Sequence, residues 1–322
     1  MRSKLALALT LTLVTLAFAG CGGVNRQTAG GGGGNATGPG VGPPPVPVPS
    51  AVQVNHVALV VLENHSASQV LGNPAMPFFN SLATQHSLAG NYFGNTHPSI
   101  GNYFMLTTGA IVSNDDNFTG IITGDNIARA LTGAGKTWKA YMESLPGPGF
   151  LGGDVYPYAK HHDPFTYMSD VLDSGAQAAK IVPLGQLIAD VRSGSLPAFS
   201  FIIPNKENDA HDCPGNAPTC PDDAKLSAAD NWLRANIGPL IGSPEFASTV
   251  LIITFDEGVD TDLANGGGQI ATVLLGARVK SGFRSTTFYQ HESTLRLILD
   301  LLNVGDHPGA SAGAPSMGEF FQ

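Results

Sequence analysis

Two apolar runs in this chain end abruptly in acid. Val57–Leu62 is followed directly by Glu63-Asn64, and Val250–Phe255 by Asp256-Glu257. Each run reads as a buried strand whose carboxyl edge carries polar side chains, the place where open α/β sheets bind ligands. If the two strands lie side by side, Glu63, Asn64, Asp256 and Glu257 share one small volume. Carboxylates that close repel one another unless a cation sits among them. The chemistry expected is that of a divalent metal held by oxygen, and hard oxygen ligands suit Ca²⁺, Mg²⁺ or Mn²⁺. One ion is expected rather than two, because the set offers few bridging ligands.

A hydroxyl and several imidazoles complete the inventory. Asn95–Gly109 reads as a tight turn into a helix, and a hydroxyl at such a place is either a helix cap or a nucleophile in an anion-binding position. Ser99 and Thr96 are the candidates. Lys160–Phe165 carries His161 and His162 beside Asp163 and Pro164, and Asn208–Asp212 carries Asp209, His211 and Asp212 just after an apolar run.

These residues need a sheet to gather them. Strands are expected at 55–62, 137–142, 198–203, 250–255 and 270–275. Helices are expected at 76–88, 127–133, 184–193, 227–241 with Ser227 as cap, and 290–302. Alternation of strand and helix implies an α/β fold with a largely parallel central sheet and helices on both faces. No repeat and no second core are visible, so residues 51–322 read as one domain.

The 322 residues carry 16 Lys+Arg against 25 Asp+Glu, a formal net charge of -9. An acidic surface argues against nonspecific binding to nucleic acid or anionic membrane, and a phosphate substrate would need a local cation. The first 20 residues read as a signal peptide: Arg2 and Lys4, then an apolar Leu5–Phe18, then small residues before Cys21. That pattern resembles a bacterial lipoprotein cleavage site, so Cys21 is the expected lipidation point. The chain is then an exported bacterial lipoprotein, periplasmic or at the cell surface, held to the membrane by its lipid alone. Residues 21–50, rich in Gly and then Pro, read as a tether. With Cys21 lipidated, Cys213 and Cys220 remain, and an even pair in an oxidising compartment suggests a disulfide. No obligate protein partner is evident.

Several short segments taken in order carry a resemblance. They are Glu63-Asn64-His65-Ser66, His97–Tyr103, His162–Phe165, Asn208–Asp212, Asp230–Leu233, Asp256-Glu257-Gly258 and His291-Glu292-Ser293. Together they resemble the phosphoesterase family of bacterial acid phosphatases and phospholipases C, within the alkaline phosphatase-like superfamily. The resemblance implies a metal held by Glu63, Asn64, Ser99, Asp256 and Glu257, with Ser99 as nucleophile. It implies His162 and His211 as the histidines of the site; the additional His161 stays a candidate. Gly101 stands where the family has Pro, which would loosen the turn and keeps Thr96 as an alternative nucleophile.

The implied reaction is hydrolysis of phosphate esters through a phosphoseryl intermediate. Ser99 attacks phosphorus, and Asn64 with the metal holds a nonbridging oxygen. His162 or His211 protonates the leaving oxygen and then activates water, with Asp209 or Asp212 orienting His211. An acid phosphatase-like phosphomonoesterase is preferred. Phospholipase C action on phosphodiester lipids is the alternative, and a noncatalytic surface-binding lipoprotein is the alternative of another class.

Overall fold

A Val- and Ile-rich run with no polar interruption has to be covered on both sides, because successive side chains of a strand point to opposite faces. The computed structural model describes residues 47–49, 52 and 54–322. The signal segment, Cys21 and the tether apart from 47–49 lie outside the described residues. In β1 (His56–Leu62) every residue after His56 is buried, so both faces of the sheet are covered there. The other strands are β2 (Ser87–Ala89), β3 (Trp138–Met142), β4 (Ile181–Pro183), β5 (Phe199–Ile203), β6 (Thr249–Phe255), β7 (Thr272–Gly276) and β8 (Arg284–Ser285). They form one sheet in the order β4-β3-β5-β1-β6-β7-β2-β8.

β1 pairs in parallel with β5 on one side and β6 on the other. β7 alone runs against its neighbours, antiparallel to both β6 and β2. The sheet is therefore mixed and mostly parallel, with the two acid-terminated strands adjacent at its centre. The register pairs Leu62 with Phe255, which brings Glu63 level with Asp256.

Two expected helices change their bounds. The first spans Pro77–Gln85, and Leu88 belongs to β2. Three residues caught between β7 and β8 carry too little periodicity to be read as a strand; pairing makes them one. The second spans Asp222–Asn236. Its start is set by Pro221 and by two acids in the first turn, which suit the helix dipole, so Ser227 lies inside the helix and caps nothing.

Pro77–Gln85 has no capping side chain of its own. Asp230, buried on the Asp222–Asn236 helix, supplies one from outside. Its carboxylate accepts from Phe78 N at 3.0 Å and Phe79 N at 2.8 Å. The Asp230–Leu233 segment thus bolts two helices together. Replacing Asp230 with Ala strands both amides and is expected to cost ~2–4 kcal/mol of stability, with turnover of the folded enzyme retained. Denaturant melts beside activity measured well below the transition check this, and an unshifted midpoint would refute the capping role.

Candidate active site

The sheet delivers each acidic residue from a strand end or the loop after it. Glu63 and Asn64 follow β1, Asp256 and Glu257 follow β6, and Asp209 lies in the loop after β5. Backbone bonds fix the approach: Glu63 N donates to Asp209 O at 2.8 Å, and Asp256 N donates to Leu62 O at 2.9 Å. Asn64 sits at φ 48° and Ala210 at φ 83°. Ala210, in the left-handed region without glycine's freedom, marks local strain between Asp209 and His211.

The fourth element is the helix Ile100–Thr108. Ser99 opens it in a helical conformation and makes no cap. Its hydroxyl instead donates to Glu63 Oε2 at 3.0 Å. Tyr103, one turn on, donates its hydroxyl to Glu63 Oε1 and stacks on His162 with ring centroids 5.0 Å apart. His162 Nε2 lies 3.4 Å from Glu63 Oε1, and its Nδ1 lies 3.5 Å from Asp209 Oδ2. Glu63, His162 and Asp209 each offer an atom within 4.8 Å of the others.

Glu63, Asp209 and Asp256 are fully buried. Burial first, then repulsion from a neighbouring carboxylate, holds the carboxyls of Glu63 and Asp256 well above the ordinary range; the neighbour is Asp256 for Glu63 and Glu257 for Asp256. Burial likewise raises Asp209, opposed by the bond from His211 N and reinforced by Asp256. Burial pushes His162 well below the usual imidazole value, and neighbouring His161 and His211 push it further. Four buried polar atoms here make no hydrogen bond: Asn64 Oδ1, His162 Nε2, Asp209 Oδ2 and Asp256 Oδ2. Three carry acceptor lone pairs, and the fourth is an imidazole nitrogen whose ring disfavours protonation. This donor set fits a divalent cation.

Glu257 does not share that vacancy of partners. Its Oε1 accepts from Asn64 Nδ2 at 2.8 Å and its Oε2 from Asn102 Nδ2 at 2.9 Å. His97 Nδ1 stands 3.2 Å from Oε1, and that contact raises His97 to about 9. Glu257, expected among the metal ligands, also fixes Asn64, whose amide nitrogen faces it and whose Oδ1 is left over, and with His97 and Asp260 it forms a second group that could hold an ion.

The remaining candidates separate. Thr96 Oγ1 donates to its neighbour's carbonyl, His97 O, at 3.1 Å. His161 packs edge-on against His162, centroids 4.4 Å apart, with Nδ1 4.0 Å from Asp154. His211 Nδ1 lies 2.6 Å from Asp212 Oδ1, while Asp209 Oδ1 accepts from His211 N at 2.8 Å. Asp212 therefore holds the ring and Asp209 the backbone. Burial lowers His211, and Asp212 opposes that shift. Cys213 and Cys220 are joined in a disulfide, Cα atoms 5.7 Å apart, directly after this loop.

Three residues outside the expected set support the site. Tyr103 clamps Glu63. Asn102 accepts from Asn95 N at 2.8 Å and Thr96 N at 3.2 Å while donating to Glu257, so it ties the turn to the second strand end. His291 Nε2 lies 2.5 Å from the carbonyl of Asp256, and burial lowers its pKa to about 4, so the neutral ring donates there. All three stood in the quoted motifs, but nothing in a motif's spelling separates a support from a reactant. The turn is not loose at Gly101 either. A Cβ there would meet Asn114 Oδ1 at 2.4 Å and Thr96 Cγ2 at 2.5 Å, so glycine is what lets the turn close.

Comparison with known proteins agrees in fold and chemistry. A model of the phosphoesterase family matches residues 71–305. A phosphatidylinositol-3-phosphatase of Mycobacterium tuberculosis is 31% identical over 254 residues, covering 78% of this chain and 78% of that protein. A probable acid phosphatase of Kluyveromyces lactis is 28% identical over 267 residues; the match covers 78% of this chain but only 59% of the yeast protein. Among solved structures, a protein of the alkaline phosphatase superfamily from Vibrio parahaemolyticus superposes with a TM-score of 0.56 at 14% identity, covering 79% of this chain and 68% of the other. That likeness concerns the fold.

The raised carboxyls give a linkage prediction. A folded-state pKa above the unfolded value, about 4, means that the ion-free fold binds extra protons, so the cluster's contribution to stability is lost as pH rises through the folded pKa. A cation that replaces those protons must bind more tightly at higher pH. The rise in Tm on adding Mn²⁺, Mg²⁺ or Ca²⁺ to chelated protein is expected to be larger at pH 7.5 than at pH 5, and to shrink in Glu63→Gln. A pH-independent shift would count against the cluster as the binding site.

Proposed function

Because the chain belongs to the phosphoesterase family and hydrolyses phosphoric esters, we propose that it is a metal-dependent phosphomonoesterase acting through a phosphoseryl intermediate. The observation that carries this reading is the bond from Ser99 Oγ to Glu63 Oε2, 3.0 Å long, among buried oxygens that make no hydrogen bond. Glu63, Asn64, Asp209 and Asp256 would hold the ion, with His162 as a nitrogen donor. An imidazole among the ligands favours Mn²⁺ over Mg²⁺ or Ca²⁺ within the set expected from sequence. When bound, the ion supplies positive charge that favours ionised serine and the transferring phosphoryl oxygens.

The residues divide the remaining work. Ser99 Oγ gives its proton to Glu63 Oε2, the acceptor of its hydrogen bond, and attacks phosphorus; the Oγ–P bond forms and the ester P–O bond breaks. His211 gives its proton to the departing oxygen; Asp212 keeps the ring oriented for that transfer. In the second step His211 takes a proton from water as the water oxygen attacks phosphoserine, the Oγ–P bond breaks, and Ser99 Oγ takes its proton back from Glu63. His162 is assigned to the buried cluster and not to proton transfer, because its ring is enclosed while His211 faces an open cleft. Asn64 presents Oδ1, an acceptor, so it serves the ion and not a phosphate oxygen. The monoester reading is preferred to a phospholipase C because the relatives described are named phosphatases.

Ser99→Ala is expected to lower kcat on 4-nitrophenyl phosphate by several orders of magnitude, while Thr96→Ala retains most of it. Near-normal turnover by the Ser99 variant would remove it as nucleophile. His211→Ala is expected to lose ~10²–10⁴-fold on alkyl phosphates and much less on 4-nitrophenyl phosphate, whose leaving oxygen needs little protonation. Equal losses on both would reassign the acid.

Export and anchoring through Cys21 are proposed from the leader sequence alone; the Cys213–Cys220 disulfide supports an oxidising compartment. Labelled palmitate should enter the full-length chain in a bacterial host and fail to enter Cys21→Ala. Equal labelling of both would dismiss the anchor.

A further inference from the structure

Beside the carboxylate cluster opens a cleft of about 250 Å³. Asn64 and His211 form the wall that it shares with the reaction centre. His65, Asp222, Lys225 and Asp260 form most of the rest, and the apolar contribution comes from Ala210 and Val259. At ~30 Å³ per water the space holds about eight waters, the bulk of a single sugar or cyclitol ring.

The lining mixes charges of both signs. A second phosphate on the leaving group would meet Asp222 and Asp260 beside Lys225, and an ammonium would meet Lys225 beside the two carboxylates. An acyl chain or aryl ring would find two small apolar side chains. A hydroxyl both donates and accepts, so it pairs with a carboxylate, an ammonium or an imidazole alike. Lys225 itself is out of place as a structural residue. It lies at the start of the helix Asp222–Asn236, where the dipole disfavours a cation. Among the described residues the lysine ion pairs are Lys139–Asp190 and Lys206–Asp212, and Lys225 has none. Asp222 also borders a second groove with Ser68, Gln69 and Asn73, so the polar surface continues outward from the cleft.

We propose that this cleft is the leaving-group subsite and that it selects phosphomonoesters of hydroxyl-rich alcohols, sugars or polyols, with Lys225, Asp222 and Asp260 as the specificity-determining side chains. The inference rests on the phosphomonoesterase reading above. The geometry is suited to it: the phosphoryl group lies at Ser99 and the alcohol it leaves extends past Asn64 and His211 into the cleft. A site built to hydrogen-bond hydroxyls rejects an analogue that lacks them far more strongly than an apolar pocket rejects an added hydroxyl.

The test compares glucose 6-phosphate with cyclohexylmethyl phosphate, which has the same ring size and the same primary leaving oxygen but no ring hydroxyls. Metal-loaded wild-type protein is expected to favour the sugar ester in kcat/KM on the order of a hundredfold. In Lys225→Ala that ratio is expected to fall at least about tenfold, through KM for the sugar ester. If 4-nitrophenyl phosphate is hydrolysed but the two ring esters react equally, or the ratio survives the Lys225 change, the subsite inference is overturned and the phosphatase reading stands. If no phosphomonoester is hydrolysed, the phosphatase reading falls and takes the subsite with it. The wild-type comparison needs no variant to fold.

Discussion

Three carboxylates, Glu63, Asp209 and Asp256, are driven into one water-poor volume by the pairing of β5, β1 and β6. Everything else at the site follows from accommodating that charge. The sheet does the forcing: each of these strands is buried along its whole described length, save His56, and the strand order leaves the loops no freedom over which ends meet. Burying unpaired carboxylates costs several kcal/mol each, so a fold that retains them has to neutralise them by protons or by a cation. The raised carboxyl values are the first answer, available to the ion-free protein. The four unpartnered acceptor and imidazole atoms are the preparation for the second.

Around that volume the protein builds stiffness instead of more charge. Tyr103 and Ser99 each take one oxygen of Glu63. His291 takes the carbonyl of Asp256. Asn102 binds the Asn95–Thr96 turn to Glu257. These contacts come from two helices, Ile100–Thr108 and His291–Leu301, which pack on each other, so the ligand positions are fixed from outside the sheet as well as along it. His211 stands at the edge of this frame, on the strained loop after Asp209 and just ahead of the disulfide. It is partly open to solvent, which suits a group that must exchange a proton with water once in each cycle.

The strands that matter most were legible in the sequence, because uninterrupted Val and Ile runs admit little else. Glu63, Asn64, Ser99, Asp256 and His162 were legible as candidates for the same reason: each follows a run or turn whose place is fixed by apolar pattern or glycine and proline. What pattern did not carry was anything set by pairing. β2 is three residues long and exists through β7 and β8. Asp230 reads as a helical residue of the Asp222–Asn236 helix, yet its work is to cap another helix 150 residues earlier in sequence. Tyr103 reads as a core aromatic until its hydroxyl is seen on Glu63.

Glu257 is the instructive case, because its place is decided by how the two acid-tipped strands pair. Successive residues at a strand end face opposite ways, and a parallel register keeps level residues on the same side. With Leu62 level with Phe255, Glu63 comes level with Asp256; the left-handed turn at Asn64, φ 48°, then breaks the alternation, so that its N–H meets Asp256 Oδ1 and its amide meets Glu257. The four residues then form two tiers. The inner tier is acidic, and its Asp256 Oδ2 makes no hydrogen bond. The outer tier is a carboxylate that takes the amide of Asn64 and, with Asn102 and His97, prevents that amide from turning. One oxygen, Asn64 Oδ1, is thereby left unpartnered beside the acidic tier. The second carboxylate after the strand fixes which end of an amide the site receives, and with His97 and Asp260 it belongs to a second group of side chains that could hold an ion.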